Sequence, residues 1–160
     1  MLFRSEKEEI MNRKRVFVII AEVVPLLMLA ALVIYLIVRW NSIPDTIPFH
    51  FNAAGTADSW RGKKSIITEP VIAGFVYLLL TWISSMMNPN ESNNITEALS
   101  RTIKLMFRIL KIEAMCLIWY ITYCEAEAIS SGTAYIYIFV GVIMVTSIGF
   151  SIKAVMQKLR

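Results

Sequence analysis

Four long runs of apolar residues, separated by polar stretches, dominate the chain. A bilayer core about 30 Å thick requires about 20 helical residues, with ~17–25 tolerated. The four runs have 17 to 23 residues and are too long and too continuous for the strands of a membrane barrel. The pattern therefore predicts four transmembrane helices, over Val16–Val38, Val71–Met87, Leu105–Tyr123 and Ala134–Ile152.

The composition agrees with this pattern. Apolar residues make up 57% of the 160 positions and charged residues 18%, whereas a soluble domain has ~25% charged residues. These values exclude an intrinsically disordered chain and a disulfide-rich secreted miniprotein. The net charge of +4 could suggest nucleic acid as a partner. Most of the charges flank the apolar runs, however, so we expect the lipid bilayer as partner and no nucleic acid.

The distribution of lysine and arginine predicts the orientation of the helices, because cytoplasmic flanks carry an excess of these residues. With both termini in the cytoplasm, 12 of the 16 lie inside and four lie outside, between the first two helices. We therefore expect an all-α integral membrane protein with four transmembrane helices, forming one domain over residues 1–160. Residues 39–67 would form an outer loop. Residues 88–160 would supply an amphipathic segment and then the third and fourth helices.

Two of the predicted helix starts carry capping signals. Thr68 precedes an acidic residue and a proline, which suits an N-cap followed by the first helical turn. Asn94 is followed three positions later by Glu97, the spacing of a capping box. We expect the second helix to follow Thr68 and the third to run from this box to about Tyr123.

Charged residues within the first and third apolar runs need partners, because an isolated charge in a bilayer is costly. Glu22 lies seven residues beyond Arg15, and Lys111 lies seven beyond Lys104, so both lie about 10 Å from the same flank. The matched depth predicts a contact of Glu22 with Lys111, or with Arg108. A second interpretation stays open, in which Lys104, Arg108 and Lys111 form a basic stripe that faces anionic headgroups. A proton- or ion-relay role for Glu22 is a third.

The segment between the first two helices has the pattern of a hairpin. Pro44 and Pro48 favour extended chain, and residues 49–51 alternate as a strand does. Residues 52–55 supply turn residues, and residues 58–60 can return as a second strand. We expect a small, ordered, extracellular cap over the outer helix ends.

The spacing IPxxIPxHFNxxGxxDxWxxK, from Ile43 to Lys63, resembles a bacterial membrane module. That module is a domain of unknown function that forms the N-terminal half of SdpI-type immunity proteins, and the likeness extends over residues 16–87. It implies a multi-pass protein of a Gram-positive-type plasma membrane that protects against a secreted, membrane-active peptide toxin. Residues 88–160 do not show the second module through which such proteins hold a repressor at the membrane. The resemblance implies a set of binding residues in this loop, which are Pro48, His50, Asn52, Gly55, Asp58 and Lys63.

The outer loop carries few groups for catalysis or metal binding. His50 and Asp58 supply two metal ligands, and Glu125 or Glu127 from the other outer loop could add a third, whereas zinc sites use three or four protein ligands. A His–Asp pair could also serve as a general base, but no nucleophile or oxyanion motif accompanies it. Alternatively, these side chains satisfy the backbone of their own loop. We expect no catalytic residue, no metal and no cofactor.

Three functions remain as hypotheses. The first is a toxin-immunity or peptide-sensing membrane protein whose outer loop meets a secreted peptide. The second is an accessory or transporter-associated subunit with another membrane protein as its partner. The third is a metal-dependent membrane enzyme.

Overall fold

The computed structural model describes residues 2–52, 54–89, 95–130 and 132–158. This part of the chain is mostly helical and contains one two-stranded antiparallel sheet. Short 3-10 helices, at Trp40–Ser42 and Lys63–Ile67, join the sheet to the helices on either side. The main elements are α1 (Leu2–Arg39), β1 (Thr46–Phe51), β2 (Ala57–Gly62), α2 (Thr68–Met86), α3 (Glu97–Ala126) and α4 (Thr133–Lys158).

In the described part of the chain, α1, α2 and α4 are long and apolar enough to cross a membrane, and the candidate spans are Met11–Ser42, Lys63–Met86 and Ala134–Lys158. Many large apolar side chains on these three segments face outward, as expected where lipid replaces water as the surrounding solvent. The chain therefore has the helices of a membrane protein.

The α3 helix has 30 residues but does not meet the same criterion of length and composition. Arg108, Lys111 and Glu113 interrupt its apolar run. It packs against α1, α2 and α4, so it is the central helix of the bundle. Its charged side chains can therefore pair with groups on the neighbouring helices.

The α1 helix is longer than the apolar run that predicts it. It contains 38 residues and continues through Pro25, which gives a length of about 57 Å at 1.5 Å per residue. The described side chains of residues 11–20 are all exposed, and the first buried one is Ala21. The described side chains of this range thus lie outside the packed bundle.

Two clusters of buried side chains hold the elements together. Leu32, Ala73 and Met115 pack where α1, α2 and α3 meet. The second cluster lies where the hairpin and its connections meet α1 and α3, and it consists of Leu36, Ile43, Ile47, Ile66 and Ala126.

The helix starts differ from their capping signals. Ile67 occupies the cap position of α2 with helical backbone angles, because the preceding 3-10 turn leads directly into the helix. The prediction of Thr68 as an N-cap is therefore wrong. Thr96 caps α3 by accepting a hydrogen bond from the backbone N–H of Leu99, while Asn94 lies outside the described residues.

Candidate functional site

The turn of the hairpin is built by Asn52. Its side-chain oxygen accepts hydrogen bonds from the backbone N–H groups of Ala54, at 2.9 Å, and Thr56, at 3.1 Å. The backbone N–H of Gly55 donates to the carbonyl of Asn52, at 2.8 Å. Gly55 has φ of 78°, a conformation that costs glycine little and other residues more. Asn52 and Gly55 therefore shape the hairpin, and their hydrogen bonds are made to the backbone of the turn.

His50 and Asp58 form a pair on the outer surface of the hairpin. Nδ1 of His50 and Oδ1 of Asp58 are 2.5 Å apart, and the side chains are 65% and 44% exposed. The ladder between the strands shifts register on both sides of His50, and such a bulge re-aims the side chains beside it. No other part of the described bundle makes a hydrogen bond to this pair.

Pro48 and Lys63 lie apart from the His50–Asp58 pair. Pro48 is buried. The Lys63 ammonium lies 5.1 Å from the centre of the Trp40 ring, and its backbone N–H donates to the carbonyl of Asp45 at 2.8 Å. The structure therefore brings His50 and Asp58 together, but it does not gather the polar residues of the predicted set into one cluster.

Arg61 of β2 fastens the hairpin to the helices. One of its terminal nitrogens donates to Glu69 of α2, at 2.8 Å, and to Glu125 of α3, at 2.9 Å. Its guanidinium carbon lies 4.4 Å from the centre of the Phe49 ring. All three charged side chains are largely shielded, with exposures of 19%, 12% and 2% for Arg61, Glu69 and Glu125.

This shielding changes the proton affinity of Glu125. Burial disfavours the carboxylate, and the nearby charge of Glu69 acts in the same direction, while Arg61 opposes both. The net effect raises the pKa of Glu125 to about 7. Two carboxyl groups thus share one guanidinium, and the pKa of one of them, Glu125, lies near neutral pH.

A second ion pair joins the C-terminal end of α1 to the turn after α3. Arg39 donates to both oxygens of Glu127, at 2.8 and 3.1 Å, and the Tyr35 hydroxyl donates to the same carboxylate at 3.0 Å. The hydrogen bonds from Arg39 and then Tyr35 lower the pKa of Glu127. Ser130, in the same connection, donates to the carbonyl of Gly55 at the hairpin turn.

Glu125 and Glu127 were the residues considered as a third metal ligand beside His50 and Asp58. In the structure both carboxylates face arginines. Within the described ranges, no group of three or more His, Cys, Asp or Glu side chains is placed to hold a metal ion.

Glu22, Arg108 and Lys111 meet between α1 and α3. Nε of Arg108 donates to one oxygen of Glu22 at 2.9 Å, and the Lys111 ammonium donates to the other. Lys111 is fully buried, and it also donates to the Thr81 hydroxyl of α2 at 3.2 Å. Both partners considered for Glu22 therefore contact it at once.

Arg61 is not among the site residues predicted from sequence, where it counts only as one of the positive charges that set orientation. Glu69 is close in the chain, but Glu125 lies 64 positions away. No local pattern connects Arg61 with Glu125. A useful signal would have been the presence of acidic residues at two helix ends on the same side of the membrane as the arginine.

Comparison with known proteins places one part of the chain in context. Residues 27–74 match a family described as Domain of unknown function (DUF1648). The match starts within α1, includes the whole hairpin and ends within α2, and it supports the predicted relation to a domain-of-unknown-function family. No curated protein and no solved structure matches the chain.

Proposed function

We propose that this protein is a four-span protein of the bacterial plasma membrane, with both termini in the cytoplasm, and that its hairpin protects against or senses a secreted, membrane-active peptide. The segment that matches the family, residues 27–74, contains the hairpin. The resemblance of Ile43–Lys63 to SdpI-type immunity proteins suggests the class of ligand.

The observation that carries this proposal is the contrast between the two sides of the hairpin. On the inner side, Arg61 is bound to two helices through shielded carboxylates. On the outer side, Trp60 is 55% exposed, and the His50–Asp58 pair is exposed as well. A surface that is fixed before binding loses less conformational entropy when a ligand arrives, and it offers an amphipathic peptide both aromatic and polar contacts.

The central position of α3 supports a fourth span. Its charged side chains have hydrogen-bond partners on the neighbouring helices, since Arg108 donates to Glu22 of α1 and Glu113 accepts from Thr146 of α4, as intramembrane charges usually do. With α3 spanning, the excess of lysine and arginine favours cytoplasmic termini and an external hairpin.

A survival assay tests the function. Bacteria sensitive to membrane-active peptides would express the protein and be exposed to a panel of peptides secreted by Gram-positive species. We expect wild-type protein to raise the lethal concentration of at least one peptide. His50→Ala and Asp58→Ala should abolish the protection at unchanged membrane levels, whereas Asp45→Ala, an exposed carboxylate of the same loop, should preserve it. Equal protection by all three variants would contradict the role of the hairpin.

Labelling with a membrane-impermeant thiol reagent tests the orientation. The background would carry serine in place of Cys116 and Cys124. A cysteine at Ala54, in the exposed hairpin turn, should react in intact cells, and a cysteine at Glu9 should react only after lysis. The reverse pattern would place the hairpin inside the cell and would contradict the proposal.

A further inference from the structure

The intramembrane cluster of Glu22, Arg108 and Lys111 has unequal numbers of charges. Two cations contact one carboxylate, so the ionised cluster carries one net positive charge. The next carboxylate along α3, Glu113, accepts a hydrogen bond from Thr146 of α4 at 2.8 Å and is engaged on another side of the helix. An unbalanced charge in a medium of low dielectric constant is unfavourable, and an anion at the cluster would neutralise it.

The two cations differ in the hydrogen-bond donors that they leave available. Lys111 is enclosed, with Glu22, Thr81 and the Tyr77 ring, at 5.1 Å, around its ammonium. Arg108 uses only Nε for Glu22. Its two terminal nitrogens form no hydrogen bond within the described residues, and its side chain is 17% exposed. The terminal N–H groups of Arg108 are therefore available to a ligand at the edge of the bundle.

This surface faces the bilayer. Near Glu22, the side chains of Ile19, Val23 and Leu26 are 61%, 42% and 49% exposed, which is the surface expected to contact acyl chains. Glu22 itself is 32% exposed. A ligand at Arg108 would thus have apolar groups beside its anionic group, as a phospholipid has.

Depth and neighbouring charge favour a headgroup. Arg108 lies three residues before Lys111, about 4.5 Å closer to the N-terminal side of the membrane, and a long arginine side chain can extend toward the interface. Arg15 is exposed on α1, and Lys104, one turn before Arg108 in α3, donates to the side-chain oxygen of Asn88 at 2.7 Å. Guanidinium groups bind phosphate oxygens in a bidentate manner.

We propose that Arg108, with Glu22 and Lys111 behind it, binds the phosphate of one anionic phospholipid in the leaflet nearest the N-terminus. The lipid completes the charge balance of the cluster, and its acyl chains lie along the exposed apolar face of α1. This site does not depend on the hairpin or on a peptide ligand.

Native mass spectrometry and thermal melting of the full-length protein in neutral detergent test the site. Delipidated protein would be titrated with phosphatidylglycerol, with phosphatidylcholine and with inorganic phosphate. We expect one molecule of phosphatidylglycerol to be retained and to raise the melting temperature, with little effect of the other two. Equal stabilisation by the two lipids would overturn the proposal. Stabilisation by inorganic phosphate alone would show a free-anion site and would overturn the assignment to lipid.

Variants locate the binding group. Arg108→Gln should weaken phosphatidylglycerol binding by about tenfold or more, and Arg101→Gln, which alters an exposed arginine of the same helix, should leave it unchanged. Arg108→Lys retains the charge that faces Glu22 but lacks the guanidinium, so it should fold and still lose affinity. The role of Arg108 would be overturned if both variants bound phosphatidylglycerol with wild-type affinity. If Arg108→Gln does not fold, wild-type affinity in Arg108→Lys alone would overturn it.

Discussion

Arg61 and Glu125 are 64 positions apart in the chain, yet their side chains are joined by a hydrogen-bonded ion pair of 2.9 Å. Glu69 accepts from the same arginine nitrogen. One guanidinium thereby connects β2, the first turn of α2 and the last turn of α3. The hairpin is held as part of the bundle and is not a freely moving loop on it.

Removal of Arg61 should destabilise the protein strongly. Arg61→Gln leaves two shielded carboxylates without a cation, and breaking a buried ion pair in this way costs about 3–5 kcal/mol. Thermal melting in detergent measures the loss. Arg101→Gln is the matched control, since Arg101 and Glu97 are 72% and 76% exposed and such pairs are worth about 0–1 kcal/mol. Similar melting temperatures for the two variants would mean that Arg61 does not fasten the hairpin.

The stability of the protein should fall as the pH rises from about 5 to about 7. The folded state raises the pKa of Glu125 to about 7 from an ordinary value of 4.5, so it holds a proton that the unfolded state has already lost. The resulting stabilisation is complete below the unfolded pKa and disappears as the pH rises through the folded pKa. Melting temperatures measured across this range should decline in the wild type and stay nearly level in Glu125→Gln.

Glu127→Gln provides the control for this pH effect. Hydrogen bonds from Arg39 and Tyr35 lower the pKa of Glu127, so its contribution to stability is present above pH 4.5 and is lost only on acidification below that value. This variant should melt at a lower temperature than the wild type but keep the same slope between pH 5 and 7. A slope that vanished in Glu127→Gln and persisted in Glu125→Gln would contradict the assignment.

Glu22 and Lys111 should show strong energetic coupling. Lys111→Met leaves Glu22 with only Arg108, and Glu22→Gln leaves two cations without their carboxylate, so each single change is costly. The double variant removes one charge of each sign, and its loss should be smaller than the sum by about 1–3 kcal/mol. Folded yield and melting temperature give the four values of the cycle. Glu22→Gln combined with Glu127→Gln, two distant sites, should be additive, and additivity for Glu22 and Lys111 as well would refute the coupling.

The parts of the structure that were predictable from sequence rest on regular spacing. Uninterrupted apolar runs gave three helices that meet the requirements of a membrane span. Prolines, alternation and turn residues gave the hairpin between Thr46 and Gly62. Glu22 and Lys111 could be related because two helices that start from the same side reach the same depth after equal numbers of residues.

The remaining features depend on tertiary packing. The start of α2 was predicted wrongly because a 3-10 helix precedes it. Ile67 already has helical backbone angles, so Thr68 lies inside the helix and not at its cap. The contact of Glu125 with Arg61 could not be predicted, since the two residues are 64 positions apart and no local sequence pattern links them. The turn after α3 was also hidden, because the left-handed position is occupied by Ala128 and not by the glycine or asparagine that usually marks it.

Ala128 provides the last prediction. Its backbone N–H donates to the carbonyl of Glu125 at 3.2 Å, and the N–H of Ile129 donates to that of Cys124 at 3.1 Å, the two bonds of a Schellman motif. Ala128 has φ of 50°, which costs an alanine roughly 1 kcal/mol more than a glycine. Ala128→Gly should therefore raise the unfolding free energy by about 0.5–1 kcal/mol, measured from melting in detergent.

An alanine inside a helix should respond in the opposite direction. Ala98→Gly changes an exposed position in the first turn of α3, and glycine there should lower the unfolding free energy by up to about 1 kcal/mol. Glycine at position 128 can keep the Schellman turn, so Ala128→Gly should also leave the pH slope assigned to Glu125 intact. Destabilisation by both glycine substitutions would show that the turn after α3 does not require a left-handed residue at position 128.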